Sequence, residues 1–413
     1  MRFFIETYGC TMNQGESRDL AQDLLSHGHE QVADEGDADL VIINTCVVIQ
    51  PTELKIMKRL RRLSQTGQKV IIAGCLPSVK PDQMRHEFPD AVLLPPSDYP
   101  IFSEMVNELY GTCKTGGSLT VGQISGILPV SQGCLGNCSY CLTKKARGDL
   151  NSYPISNLKK KARQLLEDGA RELLVTAQDT GCYGLDINTD LSELLKEIVA
   201  LDGEFMVRLG MMNPDSLAQV LDQTVKVWNH PKVYKFLHLP VQSGSERVLK
   251  AMGRGYDVPT FESQVRHFRA LKPLMSLSTD IITGFPGETE DDHRASVELM
   301  ERVRPNIINV TRYSPRPGTP AAKAKGQVPS WISKERSREM AKLRFELGEA
   351  YYAGFVGQAL EILITEVGKK GSLVGRSREY APVAISERDA RLGQWVEVEI
   401  TGHAATHLLG KAI

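Results

Sequence analysis

Over the first 110 or so residues, short apolar runs alternate with stretches whose apolar positions recur every three to four residues. The runs predict strands at Arg2–Glu6, Asp39–Asn44, Lys69–Ala73 and Ala91–Leu94. The amphipathic stretches predict helices at Glu16–His27, Pro51–Leu63 and Tyr99–Tyr110. Gly9, Gly67 and Gly74 punctuate the ends of these elements. Such alternation is the signature of an α/β layer built on a parallel sheet. No G-x-G-x-x-G follows a strand, so a dinucleotide-binding reading has no support. Residues 111–126 hold five Gly together with Ser and Thr, and read as a linker.

From residue 127 the alternation resumes with a longer repeat. Strands are expected at Ile127–Ser131, Glu172–Ala177, Phe205–Leu209, Lys235–Leu239, Leu277–Ile282 and Ile307–Thr311. Between them fall helices at Ile155–Asp168, Leu191–Val199, Asp215–Val225, Ser245–Met252, Val258–Lys272 and Glu290–Val303. Six β-then-α units fit a partial parallel barrel better than the full eight. A helical segment of mixed charge follows near 333–352. Beyond it come short alternating segments separated by Gly, such as Glu361–Thr365, Ser372–Val374 and Trp395–Ile400, which suggest a small all-β barrel. The expected division is an α/β domain over 1–112, a linker over 113–126, a partial (β/α)6 barrel over 127–352 and a small β-barrel over 353–413. There is no internal repeat.

Composition narrows this only a little. At 413 residues, 41% hydrophobic and 24% charged, the chain is neither collagen-like, low-complexity nor wholly disordered. No apolar run approaches the ~18 residues of a membrane helix. The start lacks the apolar core and small-residue cleavage site of a secretory signal, so the expected location is the cytoplasm. Lys and Arg total 49 against 50 Asp and Glu, a net charge of −1. Any nucleic-acid site must therefore be a local patch.

The eight cysteines change the picture more. Cys134-Leu-Gly-Asn-Cys138-Ser-Tyr-Cys141 places three thiols within eight residues, on a Gly-containing loop after the first barrel strand. A closed zinc site needs a fourth ligand, and no nearby Cys or His supplies one. Three thiolates suit a [4Fe-4S] cluster with one iron left open to an outside ligand. Cys10, Cys46 and Cys75 each follow one of the first three strands, so their loops emerge at one sheet edge and the thiols can meet. Cys113, in the linker, reads as an ordinary thiol, and Cys182 falls near the barrel mouth. Other polar groups also cluster at or beyond strand ends: Gln178-Asp-Thr180, Arg208, Gln242-Ser-Gly244, and Asp280 with Gly284-Phe-Pro-Gly-Glu-Thr289. In parallel barrels that is the end where active sites are assembled.

The CxxxCxxC spacing, with Tyr140 before its last cysteine, resembles the radical S-adenosylmethionine enzymes. With Cys10, Cys46 and Cys75 ahead of it, nearly the whole chain resembles the methylthiotransferases of that group. The resemblance implies two [4Fe-4S] clusters, S-adenosylmethionine, and a C-terminal RNA-associated TRAM barrel. It implies that Cys134, Cys138 and Cys141 hold the radical-forming cluster. In the group the chain resembles, the amino and carboxylate groups of the methionine moiety chelate the open iron, and one electron from the cluster cleaves the sulfonium of S-adenosylmethionine to methionine and a 5′-deoxyadenosyl radical. The resemblance implies too that Cys10, Cys46 and Cys75 hold an auxiliary cluster that carries the donated sulfur. Four segments resemble the archaeal and eukaryotic branch: Lys145-Ala-Arg-Gly148, Gln178-Asp-Thr-Gly-Cys-Tyr-Gly184, Val207-Arg-Leu-Gly-Met211 and Pro315-Arg-Pro-Gly-Thr-Pro320. That branch converts N6-threonylcarbamoyladenosine at position 37, in the tRNA anticodon loop, to its 2-methylthio form. N6-isopentenyladenosine in tRNA is the runner-up substrate, and a non-catalytic iron–sulfur RNA-binding protein is a more distant alternative. An external electron donor is implied as well.

Within this frame, Gln178, Arg208, Gln242 and Asp280 are the expected contacts to S-adenosylmethionine, the Arg208 fork suiting a carboxylate. Lys144, Lys145 and Arg147, beside the metal loop, and Arg316, between two prolines, are the expected substrate contacts. Glu288 joins Asp280 as a candidate for cofactor hydroxyls. Lys55, Lys58, Arg59, Arg61 and Arg62 form a second basic group, while residues 355–413 hold seven basic and seven acidic residues. Any RNA role of that last domain therefore rests on a patch or on shape. His27 and His29 read as surface residues, and His230, His238 and His267 as packing or cap residues.

Overall fold

The computed structural model describes residues 1–111, 123–386 and 390–413. It divides into two compact units. The first comprises the N-terminal residues together with Ser131–Gly136 and Cys141–Asn151. The second comprises 123–130, Asn137–Tyr140 and Ser152–Ile413.

The first unit is built on a five-stranded, all-parallel sheet. In spatial order its strands are Glu30–Gln31, Arg2–Thr7, Leu40–Thr45, Lys69–Gly74 and Val92–Leu94. Leu40–Thr45 is buried at every position, because helices cover both faces of a parallel sheet. Val41, Ile43 and Ile72 pack on one face with Ile56, Leu60 and Leu63 of helix Gln50–Leu63. Leu40, Ile42 and Ile71 pack on the other with Leu20, Leu24 and Phe102. The first helix runs over Thr11–Ser26, starting five residues before the expected Glu16. Its opening turns bury Asn13, Glu16 and Ser17, so no apolar periodicity announces them. Short helices at Cys75–Val79 and Pro81–Glu87 were not visible in the hydrophobic pattern either. His29, expected at the surface, is buried at 1% exposure, and burial pulls its ring pKa below the ordinary value.

In the second unit six parallel strands follow one another in chain order: Ser125–Pro129, Glu172–Thr176, Met206–Leu209, Phe236–His238, Ser276–Thr283 and Ile307–Arg312. A parallel bridge between Val207 and Val233 joins the two three-stranded halves. Outer helices lie at Ile155–Glu167, Leu191–Val199, Pro214–Trp228, Glu246–Met252, Val258–Leu271 and Glu290–Val303. This is the partial barrel expected, with ends displaced by at most three residues, except that the first strand already begins inside the expected linker. A core of Leu128, Val175, Leu209, Leu237 and Leu277 fills it, and Trp228 and Phe268, on two of the outer helices, meet edge to face. Helix Ser330–Ala353 follows. A closed five-stranded barrel then forms from Ala359–Val367, Leu373–Ser377, Pro382–Ile385, Trp395–Ala404 and His407–Ala412, around Ile362, Ile364, Val398 and Leu408. Among the described residues, no helix is long and apolar enough to cross a membrane.

Candidate active site

The three N-terminal cysteines occupy equivalent places in the sheet. Adjacent strands end level with one another, Thr7 opposite Asn44 and Thr45 opposite Gly74. Cys46 and Cys75 directly follow two of these ends, and Cys10 lies three residues beyond the third. The loops are in close contact. A Cβ on Gly9, whose φ is +118°, would come within 2.8 Å of the Cys46 Cβ. One on Gly74, φ +89°, would lie 2.4 Å from Asn44 Oδ1. Only glycine permits both the backbone shape and the approach.

Side-chain hydrogen bonds fasten these loops together. Asn13 Nδ2 donates to the Tyr8 carbonyl (3.0 Å) and the Thr45 carbonyl (2.9 Å), and Asn13 Oδ1 accepts from Cys10 Sγ (3.3 Å). Thr45 Oγ1 donates to the Ala73 carbonyl and accepts from Leu76 N–H (3.0 Å). Cys10 is the N-cap of the first helix, and Cys75 opens the helix Cys75–Val79. Burial pushes the Cys75 thiol up to about 11, while the nearby Arg147 guanidinium pulls the other way. A buried thiol of this kind needs a positive partner, such as iron, to stay ionised.

The CxxxCxxC loop carries donors aimed at its sulfurs. Gly136 N–H points to Cys134 Sγ (3.2 Å), and Thr143 N–H to Cys141 Sγ (3.3 Å). Cys138 Sγ receives Nη1 of Arg254 at 3.0 Å. Arg254 also donates Nε to Tyr256 Oη (3.0 Å) and Nη2 to Asn213 Oδ1. Asn213 in turn donates to the fully buried Asp179 carboxylate, which Ser216 and Gly181 also hold. Thus loops from three barrel units lead to Cys138. The residues around it dock on the end of helix Glu246–Met252, with Ser139 N–H and Oγ donating to the Met252 and Ala251 carbonyls. Donors to ligand sulfurs are one of the protein's levers on an iron–sulfur cluster, and both cysteine triplets carry N–H groups aimed at a sulfur: in the N-terminal one, Val48 N–H points to Cys46 Sγ at 3.4 Å. Thiolates on different irons of a cluster stand farther apart than ligands of one ion. Among the described residues, no three Cys, His, Asp or Glu side chains close round a single ion.

The expected S-adenosylmethionine contacts all fall on the barrel strands or just beyond them. Gln178 Oε1 and Arg208 Nε are buried and find no hydrogen-bond partner among the described residues, as polar atoms that face a ligand site would. The Arg208 guanidinium lies over Phe236 (5.1 Å) and Tyr380 (5.7 Å), the latter from the small barrel. Gln242 has φ +71°, uncommon outside glycine, and is pinned by N–H to the Asp280 carbonyl and by its own carbonyl to Ile282 N–H. Burial pushes the Asp280 carboxyl up. Hydrogen bonds from His238 (3.1 Å) and Asn309 (2.7 Å), with Arg254 nearby, prevail and hold it below its ordinary value. His238 therefore orients a carboxylate rather than only packing. Glu288 is engaged elsewhere, with Arg336 Nη1 (2.7 Å) and Gly284 N–H.

The basic residues divide. Lys144 and Lys145 are exposed, Lys144 pairing with Asp149 at 3.0 Å. Arg147, two residues on, is buried at 7% exposure and paired bidentately with Glu16. Arg316 is also buried. Arg59 and Arg61 of the second group are committed to Glu6, Glu35 and Glu87. Arg376 and Arg378 of the small barrel pair with Glu366 and Glu361. Cys182 is buried, its thiol directed to the Asp179 carbonyl (3.1 Å), and Cys113 lies outside the described residues. Sequence reasoning missed Arg254, Asn213, Asn13 and Glu16. Of these only Asn13 carries a local signal, one helical turn beyond Cys10.

Comparison with known proteins agrees with this layout. Residues 2–94 match an uncharacterized protein family, UPF0004; residues 128–300 match the radical SAM superfamily; residues 354–413 match the TRAM domain. A probable threonylcarbamoyladenosine tRNA methylthiotransferase of Pyrococcus horikoshii is 40% identical over the full length of both chains. The Homo sapiens threonylcarbamoyladenosine tRNA methylthiotransferase is 34% identical over 97% of this chain and 72% of its own. Among solved structures, a radical S-adenosylmethionine methyltransferase from Kitasatospora setae superposes with a TM-score of 0.55 at 15% identity, covering 78% of this chain and 75% of its own, which speaks to the fold alone. With a relative 40% identical over the full length of both chains, this chain belongs to the threonylcarbamoyladenosine tRNA methylthiotransferase family of radical S-adenosylmethionine enzymes.

Proposed function

We propose that the chain inserts a methylthio group at C2 of N6-threonylcarbamoyladenosine at position 37 of tRNA. The observation that carries this is the full-length 40% identity to a relative of that name, together with two cysteine triplets in separate settings. The C2–H bond is strong and non-acidic, so side-chain acids and bases cannot activate it. When bound, two [4Fe-4S] clusters and S-adenosylmethionine supply the radical chemistry and the sulfur. The protein's part is to hold and shield them. Cys134, Cys138 and Cys141 hold one cluster, and Cys10, Cys46 and Cys75 the other. Gln178, Arg208, Gln242 and Asp280 orient S-adenosylmethionine. Lys144 and Lys145 meet the phosphate backbone of the anticodon loop, and Arg147 and Arg316 shape the site from buried positions. The enzyme works in the cytoplasm with an external electron donor.

Nucleoside analysis of tRNA from a deletion strain tests the substrate. The expected result is loss of the 2-methylthio group with the threonylcarbamoyl group retained. Loss of methylthio from an isopentenyl nucleoside would overturn the assignment. Anaerobic reconstitution with dithionite and S-adenosylmethionine tests the enzyme: no 5′-deoxyadenosine with both clusters present would exclude a radical mechanism. For the division of labour, Cys10→Ala, Cys46→Ala and Cys75→Ala should leave S-adenosylmethionine cleavage largely intact and abolish sulfur insertion.

A further inference from the structure

Arg147 lies six residues after the last cysteine of the radical triplet, yet its guanidinium bonds Glu16 and Asn13, beside the other triplet. Ala146 of its helix, Thr143–Arg147, and the preceding Leu142 enter the apolar cluster that holds Cys75, Leu76, Val79, Tyr8 and Val47. At the end of that helix Nη1 and Nη2 grip both oxygens of Glu16, itself 5% exposed, and Nη2 also donates to Asn13 Oδ1 (3.1 Å). Asn13 is the residue whose other amide atoms fasten the Tyr8 and Thr45 loops, and its Oδ1 also accepts from Cys10. The partly buried Tyr99 has its hydroxyl oxygen inside the protein near the same pair. A buried bidentate pair of this kind is expensive to desolvate and seldom adds much stability. Here each partner has a further use: Glu16 balances the guanidinium, and the guanidinium fixes the one amide that spans two of the three cysteine loops.

We propose that Arg147 and Glu16 form a positioning pair for the auxiliary cluster, fixing Asn13 between the Cys10 and Cys46 loops and balancing the charge that the cluster experiences. This rests on the reading of Cys10, Cys46 and Cys75 as cluster ligands. Neither residue touches a reacting atom. Their opposite charges give opposite predictions for the cluster's midpoint potential. A cation near a cluster favours the reduced, more negative state, and an anion disfavours it. Arg147→Met strips the cation and leaves Glu16 uncompensated, so the potential falls. Glu16→Gln leaves the cation uncompensated, so the potential rises. A role confined to packing would perturb both variants in the same direction or not at all.

The experiment uses the full-length chain with Cys134, Cys138 and Cys141 all replaced by Ala, reconstituted anaerobically so that one cluster remains. The control is iron and sulfide content with the EPR spectrum of the reduced state. If this background takes up no cluster, the reading of the auxiliary triplet fails, whatever Arg147 does. With the cluster present, EPR-monitored redox titration is expected to show Arg147→Met below the parent and Glu16→Gln above it. Each shift should be roughly tenfold in the reduction equilibrium constant, about 59 mV for a one-electron couple. Arg147→Lys keeps the charge and should recover most of the loss. Two shifts of the same sign, or none, overturn the proposal. If Arg147→Met does not fold by circular dichroism, Glu16→Gln, which keeps the shape of the site, carries the decision: an unchanged or lowered potential sinks the idea.

Discussion

Arg254 offers the sharpest test of how the barrel would condition a radical-forming cluster held, as proposed, by Cys138. The perturbation is Arg254→Met, which keeps the length of the side chain and removes every donor. In the structure Nη1 sits 3.0 Å from Cys138 Sγ, and the guanidinium is braced by Tyr256 Oη and Asn213 Oδ1. Reduction adds one negative charge to a cluster on that sulfur. With the electron about 6 Å from the guanidinium and an effective dielectric of about 20 to 40, their attraction grows by about 1.4 to 2.8 kcal/mol on reduction. For a one-electron couple this corresponds to about 60 to 120 mV. The Met variant should therefore be harder to reduce by that amount, with Arg254→Lys falling between it and the parent. The assay is an EPR-monitored redox titration of the full chain with Cys10, Cys46 and Cys75 replaced by Ala. A shift below about 20 mV, roughly twofold in the equilibrium constant, would refute the electrostatic reasoning, as would a rise in potential.

Three further predictions rest on other parts of the molecule. Gly133, just before Cys134, has φ +81°, and a Cβ there would lie 1.9 Å from the Asp149 carbonyl oxygen. Gly133→Ala should cost at least the about 1–2 kcal/mol of a left-handed non-glycine residue and deplete iron at the radical triplet; full iron content with an unchanged melting curve would contradict this. Lys144→Ala with Lys145→Ala should weaken tRNA binding evenly across sequences and reduce the salt dependence of log K by about 2, measured by fluorescence titration over a salt series. An unchanged slope would remove them from the RNA interface. Asp292 is buried, which raises its carboxyl, but hydrogen bonds from Ser245, Thr289 and Arg247 hold it well below the usual carboxylate range. A depressed native value stabilises the fold above the unfolded pKa of about 3.9, and that stability is lost as pH falls further. Parent and Asp292→Asn should differ most near neutral pH and converge below about pH 4 in thermal melts; a gap that widens in acid would be the wrong sign.

Much of the fold could be read from apolar runs because strands buried on both faces leave little room for polar residues. Leu40–Thr45 and Lys69–Gly74 are examples. The cysteine placement was legible for the same reason: once the strands are marked, Cys10, Cys46 and Cys75 fall at matching ends. What escaped was polar and long-range. The first turns of helix Thr11–Ser26 bury Asn13, Glu16 and Ser17, a pattern that looks like loop. Lys144, Lys145 and Arg147 read as one basic run. Arg147 turns inward because its partner Glu16 lies 131 residues away, beyond any local window. Arg254 is flanked by two glycines in a loop, and nothing near it in sequence hints at Cys138. In the last domain Pro382–Ile385 and His407–Ala412 were missed, being short and interrupted by Pro or Gly, although the alternation around them already suggested a barrel.

The distribution of chain between the two units bears on how such a protein could have been assembled and how it can be taken apart. After residue 130 the chain returns to the first unit as Ser131–Gly136 and again as Cys141–Asn151. Leu142 and Ala146 complete its apolar core, and Arg147 neutralises its buried Glu16. A fragment ending at the linker would therefore expose a hydrophobic gap beside Cys75 and strand a carboxylate in the interior. The N-terminal domain is not a detachable cassette. Truncation or domain exchange of this chain would have to carry the segment after the CxxxCxxC loop along with it, so a cut drawn between two parts that look modular on a sequence map would fall inside one core.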